Sequence, residues 1–267
     1  MSTKKNAFIT SYFKPKNGEH GEATSKAPEQ DASENLLTTA SSTLQDKDNG
    51  KIKKPSSASP EPLSSKGQDN EVTAPKALSY KNLPPTHYSP PSSSSLPTLS
   101  LTPHAGSLFS APPGTLLLHA CNTQGSWGAG IALAFKQQYP NAYTIYNAFC
   151  AKEHSIKAFN PVPVGTTLLI PPVDGDKGHW IGCLFTSRRY GKQKDDVKEI
   201  LRNTKRAVEV CLELVKVVGD EISGIRMCRI NSGKFGVPWK NTEEVLKAVL
   251  VREGWVGSVE VWNEDDF

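Results

Sequence analysis

Two glycine-rich segments of the sequence have the composition expected of a site that binds phosphate. The first, residues 122–130, lies between an apolar run at 116–118 and a helical pattern, and it contains Gly125, Gly128 and Gly130. Glycine weakens regular structure, so its use here indicates that something must approach the backbone closely. A helix N-terminus after such a loop offers free N–H groups and a partial positive charge, which favour a phosphate.

The second glycine-rich segment, residues 231–236, follows a predicted strand that includes residues 228–230. Because both segments follow strands, both can reach one crevice at the carboxyl edge of a parallel sheet. Two facing loops of free N–H groups would suit a diphosphate, although each loop alone could be an ordinary connection between a strand and a helix. The GxxxxGK[ST] and GxGxxG motifs are absent, which disfavours a P-loop NTPase or a Rossmann dehydrogenase.

Two side chains just before the first glycine loop are candidates for catalysis. His119 is a candidate general acid or base, because an imidazole titrates near neutrality. A histidine at a strand end is also commonly a core residue, and strand alternation would place His119 and Cys121 on the face opposite Ala120 and Asn122. Asn122 could contact a ligand or cap the turn through its own backbone, and the sequence leaves both alternatives open.

The composition divides the chain into a tail and a folded part. The chain has 267 residues and a formal net charge of +4. Residues 1–95 are dominated by Ser, Pro, Lys, Thr, Asn and Glu, whereas all five Trp lie at Trp127 or later. Such a segment buries too little apolar area to offset its ordering entropy, so we expect a disordered tail over 1–95. Residues 96–267 are long enough for one well-buried domain.

The cysteines and the apolar runs narrow the class of protein. The odd number of Cys, the lack of a CxxC pair and the lack of acidic clusters with metal-ligand spacing predict reduced thiols, no disulfide framework and no metal, in a cytosolic or nuclear protein. No apolar run is long enough for a signal-peptide core or a membrane span. The positive charge is not concentrated, so we expect no direct nucleic-acid binding, and we expect a monomer without a cofactor.

The order of apolar patterns predicts alternating strands and helices. Strands are expected at residues 99–101, 115–119, 166–170, 180–186, 225–230 and 258–262. Helices are expected at 130–138, 140–152, 195–218 and 241–252, the last opened by an Asn-Thr-Glu-Glu signature. This alternation predicts a three-layer α/β/α sandwich with a mixed sheet that is parallel in its centre.

Residues 119–132, HACNTQGSWGAGIA, resemble the macrodomain family, whose hallmark is a strand ending in Asn followed by a Gly-x-Gly-Ile loop. The resemblance is strongest to the fungal ADP-ribose 1''-phosphate phosphatases. Further shared segments are YPNAY at 139–143, CLFTS at 183–187 and INSGKFGVPW at 230–239. The resemblance implies that residues 96–267 form a macrodomain, and it leaves the tail outside.

The resemblance implies a cleft for ADP-ribose, a small-molecule ligand. Ser107 and Leu108 match the position where many macrodomains carry Asp and an apolar residue that read adenine; Ser107 departs from that pattern but can still hydrogen-bond. Residues 127–132 would hold the diphosphate, residues 231–236 would close over it, and Asn122 would lie beside the distal ribose. The implied substrate-binding residues are Gly106, Ser107, Leu108, Ala120, Cys121, Asn122, Trp127, Gly128, Ala129, Gly130, Ile131, Ala132, Ser187, Asn231, Ser232, Gly233, Lys234, Phe235 and Gly236.

The activity implied by the resemblance is hydrolysis of ADP-ribose 1''-phosphate, a by-product of tRNA splicing, to ADP-ribose and phosphate. Asn122 and His119 would be the catalytic residues, Ser187 would help to hold the terminal phosphate, and His179 is a weaker candidate because it begins a strand. Macrodomains that remove ADP-ribose from protein carboxylates carry Lys and Asp where this sequence has Ser187 and Phe235, which disfavours a glycohydrolase. A non-catalytic reader of ADP-ribose would use the same cleft, and the sequence does not separate it from a phosphatase.

The start of the tail resembles the box that binds a sliding clamp, namely Gln, two residues, an aliphatic, two residues and two aromatics. Ile9, Tyr12 and Phe13 are in register with that pattern, and Asn6 replaces Gln. One helical turn would bring the apolar residues to one side, although a short apolar patch also arises by chance in a long tail. The protein is therefore expected in the cytoplasm, the nucleus or both.

Overall fold

Seven strands form one mixed sheet in the order β1-β4-β5-β3-β6-β7-β2. The structure, a computed structural model, describes residues 76–85, 96–155 and 159–263. The strands are β1 Leu78–Ser79, β2 Ser100–Ala105, β3 Thr115–Asn122, β4 Thr167–Ile170, β5 Trp180–Ser187, β6 Gly224–Met227 and β7 Ser258–Asn263. The helices are α1 Gly130–Gln138, α2 Pro140–Ala148, α3 Val197–Val218 and α4 Trp239–Lys247.

The centre of the sheet is parallel, as the alternation of strands and helices predicts. Strands β5, β3, β6, β7 and β2 pair in parallel, whereas β4 and β1 are added antiparallel at one edge. The carboxyl ends of the five parallel strands therefore lie at the same edge of the sheet. In the pairing of β3 with β5, the register shifts between Cys121 and Asn122, so that Asn122 lies opposite Ser187.

Helices cover the central strands on both faces. Helices α1 and α2 pack on β3 and β4, and helices α3 and α4 pack on β5, β4 and β2. Adjacent residues of β5 contact helices of different layers. The ring of Phe185 stacks on Tyr146 of α2, and the carbonyl of Thr186 accepts a hydrogen bond from Asn203 of α3. All eight residues of β5 are buried for this reason. The predicted three-layer sandwich is confirmed.

Several boundaries differ from the sequence-based prediction; for example, β6 ends at Met227 and not at residue 230, and α4 ends at Lys247 and not at residue 252. Helix α4 begins at Trp239 and not at Asn241, because Pro238 ends the preceding loop with a fixed φ and its carbonyl accepts from the amides of Asn241 and Thr242. Helix α2 ends at Ala148, and a wider helical turn continues it through Phe149–Glu153.

Part of the segment that we predicted as tail belongs to the sheet. Strand β1 pairs with β4, and a turn at Tyr80–Asn82 follows it, held by reciprocal bonds between Ser79 and Asn82. The predicted tail is therefore interrupted by β1 and the turn that follows it, which belong to the fold. A two-residue strand is too short to stand out by periodicity in polar surroundings, and it forms because β4 offers it a pairing edge. Residues 1–75 and 86–95 lie outside the described ones.

Within the described ranges, no helix is long and apolar enough to cross a membrane.

Candidate functional site

The two glycine-rich segments meet at the carboxyl edge of the parallel strands. The first connects β3 to α1, and the second connects β6 to α4. A Cβ atom placed on Gly130 would lie 3.4 Å from Cγ of Lys234, so the two loops approach within van der Waals contact. The approach of the two loops, predicted from their positions after strands, is what the fold produces.

The first turn of α1 offers free backbone N–H groups to this cleft. Ala129 is the N-cap residue and supplies no side-chain hydrogen bond, and the first turn carries no acidic residue. Gly128 and Ala129 are exposed, and Gly130 has a φ of +58°, which a side-chain-bearing residue adopts only with strain. An exposed helix N-terminus without a competing carboxylate favours an anionic ligand.

The side chain of Asn122 organises the first loop from within. Its Oδ1 accepts from the amides of Gln124 at 2.9 Å and Ser126 at 3.4 Å, and its Nδ2 donates to the carbonyl of Ser126 at 2.6 Å. Asn122 is 5% exposed. The alternative in which Asn122 caps its own turn is therefore the one that the geometry shows, and its amide is held against the loop that would receive the diphosphate.

Helix α2 supports the same loop, which the sequence reasoning did not foresee. The Tyr146 hydroxyl donates to the carbonyl of Asn122 at 2.6 Å, and Asn147 Nδ2 donates to the carbonyl of Gly125 at 2.9 Å. Gly125 has a φ of +75°, and a Cβ there would lie 3.0 Å from Asn147 Nδ2, so a larger residue would displace this contact. The available signal was the helical spacing of Tyr143, Tyr146 and Phe149 within the helix predicted at 140–152.

A buried asparagine anchors the second loop. Asn231 has a φ of +66°, its Oδ1 accepts from the Thr186 hydroxyl at 3.0 Å, and its Nδ2 donates to the Thr204 hydroxyl at 2.9 Å. The loop is thereby tied to both β5 and α3. Gly233, Lys234 and Gly236 remain exposed beyond this anchor.

The segment that matches the adenine-reading position lies at the same edge, after β2. Ser107 is half-buried, and its hydroxyl accepts from the Phe109 amide at 3.4 Å, which begins a short helical turn containing the buried Leu108. Gly106 has a φ of +117°, and a Cβ there would contact the Trp262 ring at 3.4 Å. Ser107 thus uses its oxygen locally.

His119 lies in the core and not in the cleft, which corrects its placement as a catalytic residue. Its side chain has no exposed surface, and its ring stacks on Phe135 at 4.1 Å between centroids and meets Trp127 edge-on at 4.7 Å. The pleat of β3 turns His119 towards α1, while Asn122 follows the register shift at the end of the strand. A ring without exposed surface cannot exchange protons directly with a substrate in the cleft.

The other predicted polar candidates are engaged as well. The Ser187 hydroxyl donates to the carbonyl of Arg189 at 2.8 Å and accepts from the Asp195 amide at 3.0 Å, so it closes the loop after β5. His179 bridges the Tyr139 hydroxyl and the Ala111 carbonyl, each at 2.7 Å, and precedes the amino end of β5, away from the cleft. Arg188 pairs with Asp195 at 3.0 Å.

A cluster that we did not predict lies beneath the first loop. His119 and Cys121 of β3 meet Cys183 of β5, with one potential ligand atom from each within 4.8 Å of the others. Burial disfavours the Cys121 thiolate, but the hydrogen bond with Cys183 and the neighbouring His119 outweigh it and lower the pKa of Cys121. Burial and the adjacent Cys121 raise the pKa of Cys183 well above its usual range. The sequence predicted no metal ligands because Cys183 is distant along the chain from His119 and Cys121 and meets them only through the pairing of β3 with β5.

Comparison with known proteins agrees with this architecture. The sequence pattern of the Macro domain matches residues 118–246. An ADP-ribose 1''-phosphate phosphatase of Chaetomium globosum is 45% identical over 168 residues, which cover 59% of this chain and 88% of that protein. A protein of the same name from Aspergillus oryzae is 44% identical over 171 residues, covering 53% of this chain and 85% of that protein.

Among solved structures, the macrodomain of Mycobacterium tuberculosis DarG is similar with a TM-score of 0.48 and 21% identity, covering 61% of this chain and 97% of that chain. The sequence relatives carry the assignment, because this chain spans most of their length at an identity well above that of unrelated proteins. The chain belongs to the macrodomain family.

Proposed function

We propose that this macrodomain hydrolyses ADP-ribose 1''-phosphate to ADP-ribose and phosphate. In this reaction a water oxygen bonds to the phosphorus, the bond from phosphorus to the ribose oxygen breaks, and that oxygen leaves with a proton as the hydroxyl of ADP-ribose. The observation that carries the proposal is the approach of the two glycine loops across one cleft, where Gly130 faces Lys234. Relatives of 44–45% identity are named for this activity.

The cleft supplies groups that would bind an anion from two sides. It contains few side chains that could react with the substrate. Free N–H groups at the start of α1 lie on one side, and the exposed Lys234 adds a positive charge on the other. Such preorganised donors stabilise charge that develops on phosphate oxygens and hold a water in line with the bond that breaks. Hydrolysis of a phosphate monoester on this framework depends mainly on positioning.

A glycohydrolase acting on protein-linked ADP-ribose is disfavoured by the same geometry. At the position of the lysine in such enzymes, the Ser187 hydroxyl is committed to the loop after β5. At the position of the acid, Phe235 has no group that could take a proton. The second candidate function is a non-catalytic reader of ADP-ribose, and the burial of His119 favours it, because a reader needs no acid or base in the cleft.

Released phosphate distinguishes the two functions. The full chain is incubated with ADP-ribose 1''-phosphate, and both phosphate release and ADP-ribose affinity are measured. Many turnovers per molecule support the phosphatase. Less than one phosphate per protein over hours, together with tight ADP-ribose binding, would leave the reader as the function.

Asn122→Ala is expected to lower kcat roughly tenfold or more while changing ADP-ribose affinity less. The reason is that Asn122 holds the first loop from its strand-end position, beside the predicted reacting phosphate. Asn147→Ala is the matched control, because it removes one contact to the same loop from the outer side. Equal kcat losses in both variants would show that general loosening of the loop, and not the position of Asn122, causes the effect.

We further propose that the tail recruits a sliding clamp through Asn6, Ile9, Tyr12 and Phe13, which would place the protein in the nucleus for part of its life and in the cytoplasm otherwise. These residues lie outside the described ones, and the proposal rests on their spacing. A peptide of residues 1–20 is expected to bind the clamp at micromolar affinity in fluorescence polarisation, and Tyr12→Ala with Phe13→Ala should eliminate the signal. If the wild-type peptide does not bind at clamp concentrations up to about a millimolar, the proposal is wrong.

A further inference from the structure

Three side chains with soft donor atoms converge in the core below the first glycine loop. His119 and Cys121 come from β3, and Cys183 lies directly opposite His119 on β5. The ring nitrogens of His119 are 3.5 and 3.6 Å from Cys121 Sγ, and one potential ligand atom from each residue lies within 4.8 Å of the others. All three side chains are at most 2% exposed.

The separation of His119 from Cys121 is that of two atoms that share one metal ion, and Cys183 adds a sulfur within 4.8 Å of both. With metal–sulfur and metal–nitrogen bonds of about 2.3 and 2.0 Å, a sulfur and a nitrogen ligand at a tetrahedral angle lie about 3.5 Å apart. The distance from His119 to Cys121 already has this value. Binding an ion would require side-chain rotations that bring the three donor atoms, now within 4.8 Å of one another, to a common point.

The donor set restricts the class of ion. Thiolate and imidazole ligands favour Zn²⁺ and Cu⁺, whereas the hard cations Mg²⁺ and Ca²⁺ require oxygen donors, which this group lacks. The charge balance in the core also favours Zn²⁺ and Cu⁺. Zn²⁺ with two thiolates and a neutral imidazole is neutral, as is Cu⁺ with one thiolate, one thiol and an imidazole, and a neutral group avoids the cost of an unpaired buried charge.

A second observation points to a ligand at this place. The indole Nε1 of Trp127 is buried and makes no well-formed hydrogen bond with any described residue, and the acceptor that it faces is the sulfur of Cys121. A metal-bound thiolate is a strong acceptor, and outer-sphere donors of this kind orient and stabilise the ligands. If no ligand bound here, an apolar side chain without an N–H group would suit this core position.

We propose that His119, Cys121 and Cys183 form a binding site for one thiophilic d10 cation, Zn²⁺ or Cu⁺. The ion joins β3 to β5 one residue before the register shift at Asn122, and thus stiffens the strand end from which the first loop starts. The site is separate from the cleft, and the inference does not depend on the proposed hydrolysis. Because the ligands are enclosed, the ion enters as the chain folds.

Metal content of the full chain tests the proposal. The protein is produced in Zn²⁺-supplemented and in Cu⁺-generating, copper-supplemented cells, freed of loosely held ions with a chelator, and assayed by elemental mass spectrometry. We expect about one equivalent of one of the two ions, since enclosed thiolate sites release metal poorly. The ion that is retained identifies which of the two the site takes. Retention of neither ion overturns the proposal.

A matched pair of variants locates the ion. Cys183→Ala removes one ligand, whereas Cys211→Ala makes an equal truncation at a fully buried cysteine of α3, outside the cluster. We expect Cys211→Ala to keep the ion and Cys183→Ala to lose at least about tenfold of its occupancy. Equal occupancy in both variants contradicts the assignment.

X-ray absorption of the wild-type protein covers the case in which Cys183→Ala does not fold. The proposed site gives an inner shell of two sulfurs and one nitrogen. A shell of nitrogen and oxygen alone would assign the retained ion to the surface and reject the core site.

Discussion

Gly130→Glu is expected to abolish ADP-ribose binding, weakening affinity by at least about 100-fold, or roughly 2.7 kcal/mol. Gly130 opens α1, and a side chain there points towards Lys234 of the facing loop, 3.4 Å away at the level of Cβ. The carboxylate would occupy the phosphate position and repel the ligand's charge. Calorimetry on the folded variant measures the loss.

The control for this variant is Gly175→Glu. Gly175 has a φ of +61° and open space around it, so the substitution brings the same charge and similar backbone strain. It lies in the connection between β4 and β5, before the amino end of β5, and therefore away from the cleft. Gly175→Glu should bind ADP-ribose like the wild type. If folded Gly130→Glu also binds like the wild type, the cleft has been assigned to the wrong place.

Asn231→Ala is expected to lower the free energy of unfolding by about 3 kcal/mol, the second large effect. The variant removes two buried hydrogen bonds and leaves the Thr186 hydroxyl without its acceptor. It also places alanine at a φ of +66°, which asparagine tolerates better. Urea denaturation gives the change, and the freed second loop should weaken ADP-ribose binding in parallel.

The variant Asn231→Gly separates the contribution of the hydrogen bonds from that of the backbone strain. Glycine removes the same hydrogen bonds but adopts positive φ without strain, so this variant should be about 1 kcal/mol more stable than Asn231→Ala. A midpoint for Asn231→Ala equal to that of the wild type would show that the tie between the second loop, β5 and α3 contributes nothing to stability.

Much of the fold was predictable because its signals are local. The 3.6-residue period of α3 is encoded by neighbouring residues, as are the apolar runs of β3 and β5. The loops after β3 and β6 were likewise visible as glycine clusters following strands. Since parallel strands present their carboxyl ends at one edge, their meeting followed from the element order.

The roles of individual side chains were decided by the tertiary structure. Residue type allowed His119 to be an acid or base, but the pleat of β3 and the position of α1 placed its ring against Phe135. Asn122 was equally ambiguous until the turn after it directed two amides at its oxygen. In both cases the outcome depends on where a strand ends and what packs over it, and no short stretch of sequence contains that information.

Contacts between segments that are distant along the chain could not be predicted from the sequence for the same reason. Cys183 meets His119 only through the register of β3 and β5, and Leu78 joins the sheet only because β4 leaves an edge beside it. By itself, the sequence determined the order of elements, the long helix and the two glycine-rich loops, since each is encoded in contiguous residues. Strand order, register and burial arise from packing the whole chain, and these decided which polar groups face the cleft and which are enclosed in the core.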